Sequence, residues 1–377
     1  MPRRGRRAGT ALAACLITLT FQGGALAEPS QAQPPAQGGM SALQKQMRAE
    51  VESVVRLAIQ TGDARSALES YDRYYASVKA HDAALLASVS RAVLAAISAD
   101  RSSPARLLAL ERLARAGDVR ARGTLGELAG GSNTLMPQGV EADFVLARLG
   151  DGPAVDRIVG RLEDETIRDK GGLVDALVDA RARRAASALV ALLSDENPFN
   201  RMAAARGLAS LGSSEQAGAL RDALDRETEG PVKPVLAVAI KSVGSTAADA
   251  TIARLEVSPV ADVRLMAVEA YFNSRNPRWT TLARQLLKTG TEEARLRVAE
   301  LLGEGDESAR REILKAAASQ NLPTREIGAR LLESTGSRDL AALAPLLKDV
   351  SPVARAYAAG ALIAAAAPVA PAPSRTP

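Results

Sequence analysis

The two residue types on which much enzyme chemistry depends are almost absent from this sequence. Its 377 residues include one cysteine, Cys15, and one histidine, His81. A single histidine excludes a histidine-based metal cluster and an H-E-x-x-H protease site. The sequence also has no nucleophile elbow, P-loop or dinucleotide-binding glycine motif. We therefore expect no catalytic residue, no metal and no cofactor, and the sequence predicts that the protein is not an enzyme.

Aromatic residues are scarce as well. They make up 3% of the chain, with one tryptophan, whereas 47% of the residues are hydrophobic. Alanine and leucine dominate, and both are strong helix formers. The composition therefore predicts an all-α protein. An enzyme that works through carboxylates alone stays open as an alternative, although sugar-binding aromatic platforms are lacking.

The first 27 residues resemble a secretory signal peptide. Arginines 3, 4, 6 and 7 precede an apolar stretch over about residues 8–21, and "ALA" at 25–27 provides a small-x-small cleavage site. The apolar stretch is too short for a comfortable membrane-spanning helix. The pattern predicts cleavage after Ala27 and export to the bacterial periplasm or the exterior. Lipid attachment at Cys15, within "LAAC", is a minor alternative.

Signal cleavage changes the charge of the protein. The whole chain carries +5, but removal of the four signal arginines leaves 44 basic and 43 acidic residues. A nearly neutral chain gives no support for nucleic acid as a partner. Cleavage also removes the only cysteine, which suits an oxidising compartment.

The remaining sequence divides by composition into four regions. Residues 28–40 are rich in Pro, Gln and Gly and predict a flexible linker, and residues 368–377 predict a disordered Pro/Ala tail. Residues 41–103 form an N-terminal helical region, with helices predicted over about 41–60, 64–79 and 82–98. A repeat fills residues 104–367.

The repeat is a pattern of a basic residue, a small or apolar residue three or four positions later, and an apolar residue at seven. It recurs every 30–33 residues, beginning at Arg106, Gly139, Lys170, Arg201, Lys233, Arg264, Arg295, Arg325 and Arg355. Each unit predicts two helices joined by a short Gly, Asp or Ser turn. Such a pair cannot bury its apolar face alone, so stacked pairs must share one core.

This pattern resembles the HEAT-repeat family, particularly its short bacterial form. The resemblance is clearest in "SPARLLALERLARAGD" (103–118), "NPFNRMAAARGLASLG" (197–212), "SPVADVRLMAVEAYF" (258–272) and "SPVARAYAAGAL" (351–362). It implies a right-handed α-solenoid of about nine antiparallel helix pairs, with residues 41–103 as a cap or as divergent repeats.

The resemblance also carries expectations about faces and side chains. It implies that the second helix of each pair lines the concave side. It implies a ladder of turn aspartates, such as Asp118, Asp151 and Asp179, with the basic series that ends at Arg355. Arg201 and its equivalents are therefore interpreted as structural residues.

Two local features suggest partner contacts. Tyr271, Phe272 and Trp279 concentrate aromatic side chains where the usual short turn is lengthened, and tyrosine, tryptophan and arginine are enriched at binding hot spots. "RARR" supplies Arg181, Arg183 and Arg184, which together with neighbouring arginines could form a basic strip. Core packing of the aromatics and a mixed solvated face for the arginines are the alternatives.

The sequence thus predicts an exported scaffold that binds a protein or peptide through its solenoid surface. An assembly or stability factor for an envelope complex is a second interpretation, and a carboxylate-dependent or lyase-like enzyme on a HEAT-like fold is a third. The inference from fold to function is by analogy, and neither the partner nor the oligomeric state follows from the sequence.

Overall fold

The computed structural model of the protein describes residues 41–130 and 137–367. The predicted signal peptide with Cys15, the linker 28–40 and the tail 368–377 lie outside the described residues. The described part is helical and contains no strand, which confirms the all-α prediction. None of its helices is both long and apolar enough to cross a membrane.

Twenty α-helices follow one another along the described chain. They are α1 (Ala42–Thr61), α2 (Ala64–Val78), α3 (Ala83–Ala99), α4 (Arg106–Arg115), α5 (Val119–Gly130), α6 (Pro137–Arg148), α7 (Gly152–Glu163), α8 (Gly171–Asp179), α9 (Ala186–Leu192), α10 (Pro198–Leu211), α11 (Ala217–Arg226), α12 (Val232–Ser242), α13 (Asp249–Glu256), α14 (Ala261–Asn273), α15 (Arg278–Thr289), α16 (Glu292–Leu302), α17 (Glu307–Ala317), α18 (Leu322–Ser334), α19 (Leu340–Leu346) and α20 (Pro352–Ala366). Two single 3₁₀ turns, Arg183–Ala185 and Ser214–Gln216, precede α9 and α11.

The repeated pattern falls on the even-numbered helices from α4 to α20. Its apolar seventh position is buried at nearly every repeat, as at Leu177, Leu208 and Leu332, which are fully inaccessible to solvent. Fully burying a leucine contributes about 1.5–3 kcal/mol. The alanine-rich α10 is stabilised in this way by α8, α9 and α12, which pack around it.

Six of the turns that follow pattern helices share one backbone geometry. A residue with positive φ comes just after the helix, and the next N–H donates to the carbonyl of the apolar seventh residue, as from Asp151 to Leu146 at 2.9 Å and from Asn276 to Tyr271 at 2.8 Å. This is the bond that closes a Schellman cap. The positive-φ residues are Gly117, Gly150, Arg181, Gly244, Arg275 and Gly336. Two repeats thus place an arginine where glycine avoids a steric penalty.

The helices α1 to α20 close into a ring. Helix α20 packs against α3 and α4, so the last pattern helix meets the first, and α3 also contacts α1, α2 and α4. Both α3 and α20 are rich in alanine, which lets their backbones approach closely. Two ion pairs join distant parts of the chain: Arg112 with Glu333, and Lys348 with Asp72 at 2.5 Å.

The expectation about the concave face is wrong. The pattern-bearing first helices, not the second helices, line the inside of the ring. One inner cavity is bordered by residues of α8, α10, α12, α14 and α16 together. Consecutive even-numbered helices pack on one another from α4 to α16, while the second helices form an outer layer that packs mainly against the pattern helices of its own and the following repeat. The small residues of the pattern explain this, because inner helices must approach more closely than outer ones.

Arginines of the pattern stabilise the turns that precede their own helices. Arg201 donates from Nη1 to the carbonyls of Asp195 and Glu196 at 2.9 and 3.0 Å, and Arg264 and Arg325 make the same contact six residues back at 2.8 and 2.7 Å. Arg201 also forms a two-bond pair with Glu227. A structural role for these arginines is therefore what the geometry shows.

The predicted aspartate ladder takes a different form. Asp118 and Asp151 accept hydrogen bonds from backbone N–H groups at the starts of α5 and α7. Helix starts leave such N–H groups without intrahelical partners, so these aspartates act as caps. Asp179 ends α8 and faces the interior of the ring, 4.0 Å from Arg148.

Candidate functional site

A large cavity lies inside the ring at the place where it closes. We call it the central pocket. It has a volume of about 1020 Å³ and is lined from α3, α4, α6, α8, α18 and α20. Residues far apart in sequence share it, so it exists only because the two ends of the helix array meet.

A network of ion pairs forms the floor of the central pocket. Arg112 donates from Nε and Nη2 to the two carboxylate oxygens of Glu333, at 2.8 and 2.5 Å. Its Nη1 atom lies 3.0 Å from Glu111. Glu111 also accepts from Arg115 at 2.6 Å and from Arg148 at 2.7 Å. This network joins α4, α6 and α18.

The two carboxylates of this network differ in their electrostatics. Burial opposes ionisation of Glu111, but the hydrogen bond from Arg148 and the charges of Arg112 and Arg115 outweigh it, so the pKa of Glu111 is lowered. Burial raises the pKa of Glu333, and Arg112 offsets this only in part. Glu111 is therefore held firmly as an anion, whereas Glu333 depends on its one close arginine.

Helix α20 covers the network closely. A Cβ atom added at Gly360 would collide with a carboxylate oxygen of Glu333 and would lie 2.9 Å from Cγ of Arg112. The guanidinium carbon Cζ of Arg112 lies over the ring of Tyr357, 5.3 Å from the centre of that ring. This distance is within the range of a cation–π contact. Glycine and tyrosine at these positions thus let α20 close the ring over a buried ion pair.

The charged wall continues from the central pocket along α14, α16 and α18. Glu300 lies 2.8 Å from Arg330 and 3.0 Å from Arg297, which in turn lies 2.9 Å from Glu269. These four residues border a second cavity of about 490 Å³, to which Ile327 adds an apolar side chain. The inner face therefore carries alternating charge next to apolar patches.

The predicted aromatic cluster is split between the core and the inner wall. Tyr271 is 5% exposed, and its hydroxyl donates to Glu256 at 2.9 Å. Phe272 is 38% exposed and borders the inner cavity beside Arg297. Trp279, half-buried, meets Phe272 edge to face, with ring centres 5.1 Å apart. The structure brings Phe272 and Trp279 together and leaves Tyr271 in the core, and a role in partner binding stays a prediction.

The predicted basic strip is partly neutralised. Arg157 and Arg161 both bind Asp143, a fully buried carboxylate, at 2.6 and 2.7 Å. Arg184 pairs with Asp156 at 2.9 Å. Arg181 and Arg183 are exposed in the turn and the 3₁₀ turn that precede α9, rather than in the helix itself. Their contact with an acidic partner stays a prediction.

His81 lies among tyrosines. Its Nδ1 atom is 3.0 Å from the hydroxyl of the buried Tyr71, and its ring stacks on Tyr75 with centres 4.4 Å apart. Burial lowers the pKa of His81. No group of three or more potential metal ligands occurs within residues 41–130 and 137–367.

Sequence reasoning did not select the residues of the central pocket. Glu111 and Arg112 are adjacent in "LALERLAR", and Glu333 lies in "RLLESTG". Their signal is a charge pair on helices whose other face is apolar. That signal gains meaning only when these helices are known to line the inside of a closed ring.

Comparison with known proteins supports the repeat fold. Residues 155–241 match the family model described as HEAT repeats, which confirms the resemblance. The chain is similar to human deoxyhypusine hydroxylase in complex with glycerol, at 21% identity and a TM-score of 0.35, over 67% of this chain and 98% of that one. It is also similar to an engineered protein, at 16% identity and a TM-score of 0.32, over 86% and 96%. No curated protein sequence matches.

These comparisons correct one expectation. The sequence predicted that the protein is not an enzyme, and this prediction is contradicted because one of the similar structures, deoxyhypusine hydroxylase, is an enzyme. At this identity and TM-score the similarity assigns no activity to this chain. The scarcity of histidine and cysteine therefore excludes particular kinds of site, not catalysis as a class.

Proposed function

We propose that the protein binds a peptide segment of a partner protein inside the helical ring. The single observation that carries this proposal is the central pocket. It is about 1020 Å³ in volume and combines charged side chains with apolar ones such as Ala84, Leu108 and Ile363. Pockets that bind small or extended ligands have this mixture of apolar wall and a few directed polar groups.

The repeat architecture supports the same proposal. Stacked helix pairs present long surfaces that repeat proteins use for binding. Here the inner wall is larger than one pocket, since the cavity beside Phe272 and the cavity beside Ile327 continue it. An extended peptide can contact several pattern helices at once.

A blocked pocket tests this function. Ala84 is exposed on α3 and lines the central pocket, so Ala84→Trp places a large side chain into it. Ala253 is exposed on the outer helix α13, and Ala253→Trp is the matched control. Peptides are selected from a random displayed library on the wild-type protein, and their affinities are then measured on both variants.

The proposal expects peptides that bind wild type and Ala253→Trp equally but lose affinity for Ala84→Trp. Failure to enrich any peptide, or equal binding to both variants, would contradict it. Far-UV circular dichroism and the melting temperature of each variant show whether the fold is retained.

The same protein is proposed to act after export. The support is the pattern of arginines 3–7, the apolar stretch and the "ALA" site at 25–27. Expression of the full chain with its own N-terminus, followed by N-terminal sequencing of the periplasmic fraction, is the test. A first residue of Glu28 is expected, and a full-length chain confined to the cytoplasm would overturn this part of the proposal.

A further inference from the structure

The central pocket has more positive than negative side chains. Its lining includes five arginines and three carboxylates, an excess of two positive charges. Glu111 and Glu333 are already bound by arginines of the pocket floor. The third carboxylate, Asp179, lies 4.0 Å from Arg148. Arg91, Arg330 and Tyr357 add donors that these carboxylates do not use.

Three side chains of the pocket keep donors available. Arg91 on α3 is exposed and makes no hydrogen bond or ion pair with any part of the chain that the structure describes. Arg330 uses Nη1 for Glu300 and has a side chain that is 41% exposed, so its other N–H groups are available. The hydroxyl of Tyr357 has no hydrogen-bond partner among the described residues, and burial raises the pKa of this tyrosine, so it keeps its proton.

These donors come from three helices that meet only through ring closure. Arg91 belongs to α3, Arg330 to α18 and Tyr357 to α20. Guanidinium groups match the planar geometry of a carboxylate with two parallel N–H···O bonds, and hydrogen bonds to a charged group are stronger than neutral ones. The pocket thus presents, from three different helices, hydrogen-bond donors that are suited to carboxylates.

The size and the apolar part of the lining argue for a peptide over a small free anion. A cavity of about 1020 Å³ is as large as those that enclose drug-sized ligands. Ala87, Leu108 and Ile363 lie beside the arginines. A peptide that carries apolar side chains next to carboxylates would contact both the apolar and the positively charged parts of the lining.

Resting on the proposed function, we propose that the central pocket binds an acidic peptide segment whose carboxylates are held by Arg91, Arg330 and Tyr357. The partner is thereby defined by chemistry: an extended segment in which Asp or Glu alternates with small or apolar residues.

Three labelled peptides of equal length test the charge preference. Their sequences alternate alanine with glutamate, glutamine or lysine, and binding is followed by fluorescence anisotropy. The glutamate peptide is expected to bind with the highest affinity, and its affinity should fall as salt is added, because charged contacts are screened. Equal or tighter binding of the glutamine or lysine peptide would overturn the proposal.

Two variants place the binding in the pocket. Arg91→Gln removes a charge that no described partner needs, and Tyr357→Phe removes one hydroxyl while it keeps the ring under Arg112. Each should weaken the glutamate peptide by about tenfold. Arg221→Gln is the matched control, because Arg221 is an exposed arginine on the outer helix α11 with no ion pair or hydrogen bond among the described residues. Unchanged affinity in both pocket variants, or an equal loss in the control, would contradict the assignment.

Inorganic phosphate distinguishes the carboxylate from another anion. Displacement of the glutamate peptide by phosphate at concentrations at which acetate has no effect would make phosphate the ligand and overturn the proposal.

The outcomes that contradict the proposed function differ from those that contradict this inference. If library peptides need an open pocket but are neutral or basic, the charge assignment is wrong and peptide binding stands. If no peptide of any charge responds to Ala84→Trp, the function itself is wrong.

Discussion

Arg112 and Glu333 are 221 residues apart and form a two-bond ion pair across the closure of the ring. Their side chains are 9% and 17% exposed. The pair joins the first pattern helix to the eighth under the cover of the ninth. It is therefore a contact of closure, because an open array of the same helices would leave the two residues far from each other.

Removal of one partner of this pair should be costly. Arg112→Leu leaves Glu333 buried without its close cation, and such losses cost about 3–5 kcal/mol of unfolding free energy. The measurement is urea unfolding followed by circular dichroism. In a double-mutant cycle, Arg112→Leu combined with Glu333→Leu should cost much less than the sum of the single variants, because no charge is left unpaired. Additive losses would show that the two side chains do not interact.

Glu227 predicts an acid dependence of stability. Arg201 and two backbone N–H groups bind its carboxylate and lower its pKa to about 2, from an ordinary value of 4.5. A lowered pKa contributes stability above the unfolded pKa, and that contribution is lost as pH falls. Glu227→Gln should therefore reduce the unfolding free energy at neutral pH. The difference between wild type and variant should shrink between about pH 4.5 and 2, and a difference that stays constant over this range would contradict the assignment.

Two helical glycines should respond in opposite ways to alanine. A Cβ atom at the buried Gly328 would collide with the backbone of Ala316 and Ala317 in α17, which cannot move aside. Overpacking of this kind costs about 1–3 kcal/mol. Gly160 is exposed within α7 and has open space around it. Gly160→Ala should stabilise by about 0.5–1 kcal/mol, since alanine favours helix. Thermal unfolding of the two variants should therefore shift in opposite directions from wild type, and a shift of equal sign would refute the close approach of α18 to α17.

The left-handed arginines offer a stabilising substitution. Arg275 has φ 57° at a turn position that Gly117, Gly150, Gly244 and Gly336 occupy elsewhere. A side chain in this conformation costs about 1–2 kcal/mol. Arg275→Gly should recover about 1 kcal/mol and raise the melting temperature, and Gly150→Arg should lose a similar amount. No gain at Arg275 would mean that its side chain makes a contact that offsets the backbone cost.

The local organisation of the fold was predictable because it is periodic. The helices predicted near 41–60, 64–79 and 82–98 correspond to α1, α2 and α3. The turn glycines and the buried seventh positions also follow from a pattern that recurs every 30–33 residues. Each of these features depends on a few neighbouring residues, so the sequence carries it directly.

Ring closure and the central pocket were not predictable in the same way. The small rotation between neighbouring helix pairs decides whether an array stays open, and no single residue determines it. Glu111, Arg112 and Glu333 look like ordinary surface charges until α20 is placed against α3. The same reason explains why the pattern helices were assigned to the wrong face.

The distance between residues 72 and 348 tests the closed ring most directly. Asp72 on α2 and Lys348, just after α19, form a 2.5 Å ion pair in which both side chains are half-exposed. Spin labels on Asp72→Cys and Lys348→Cys, with Cys15→Ser, allow the distance to be measured by pulsed electron paramagnetic resonance. The closed ring predicts one narrow population at the short end of the measurable range. An open array, with neighbouring helices about 8–10 Å apart, would separate the labels by tens of ångströms, and a broad or long distribution would contradict the closed ring.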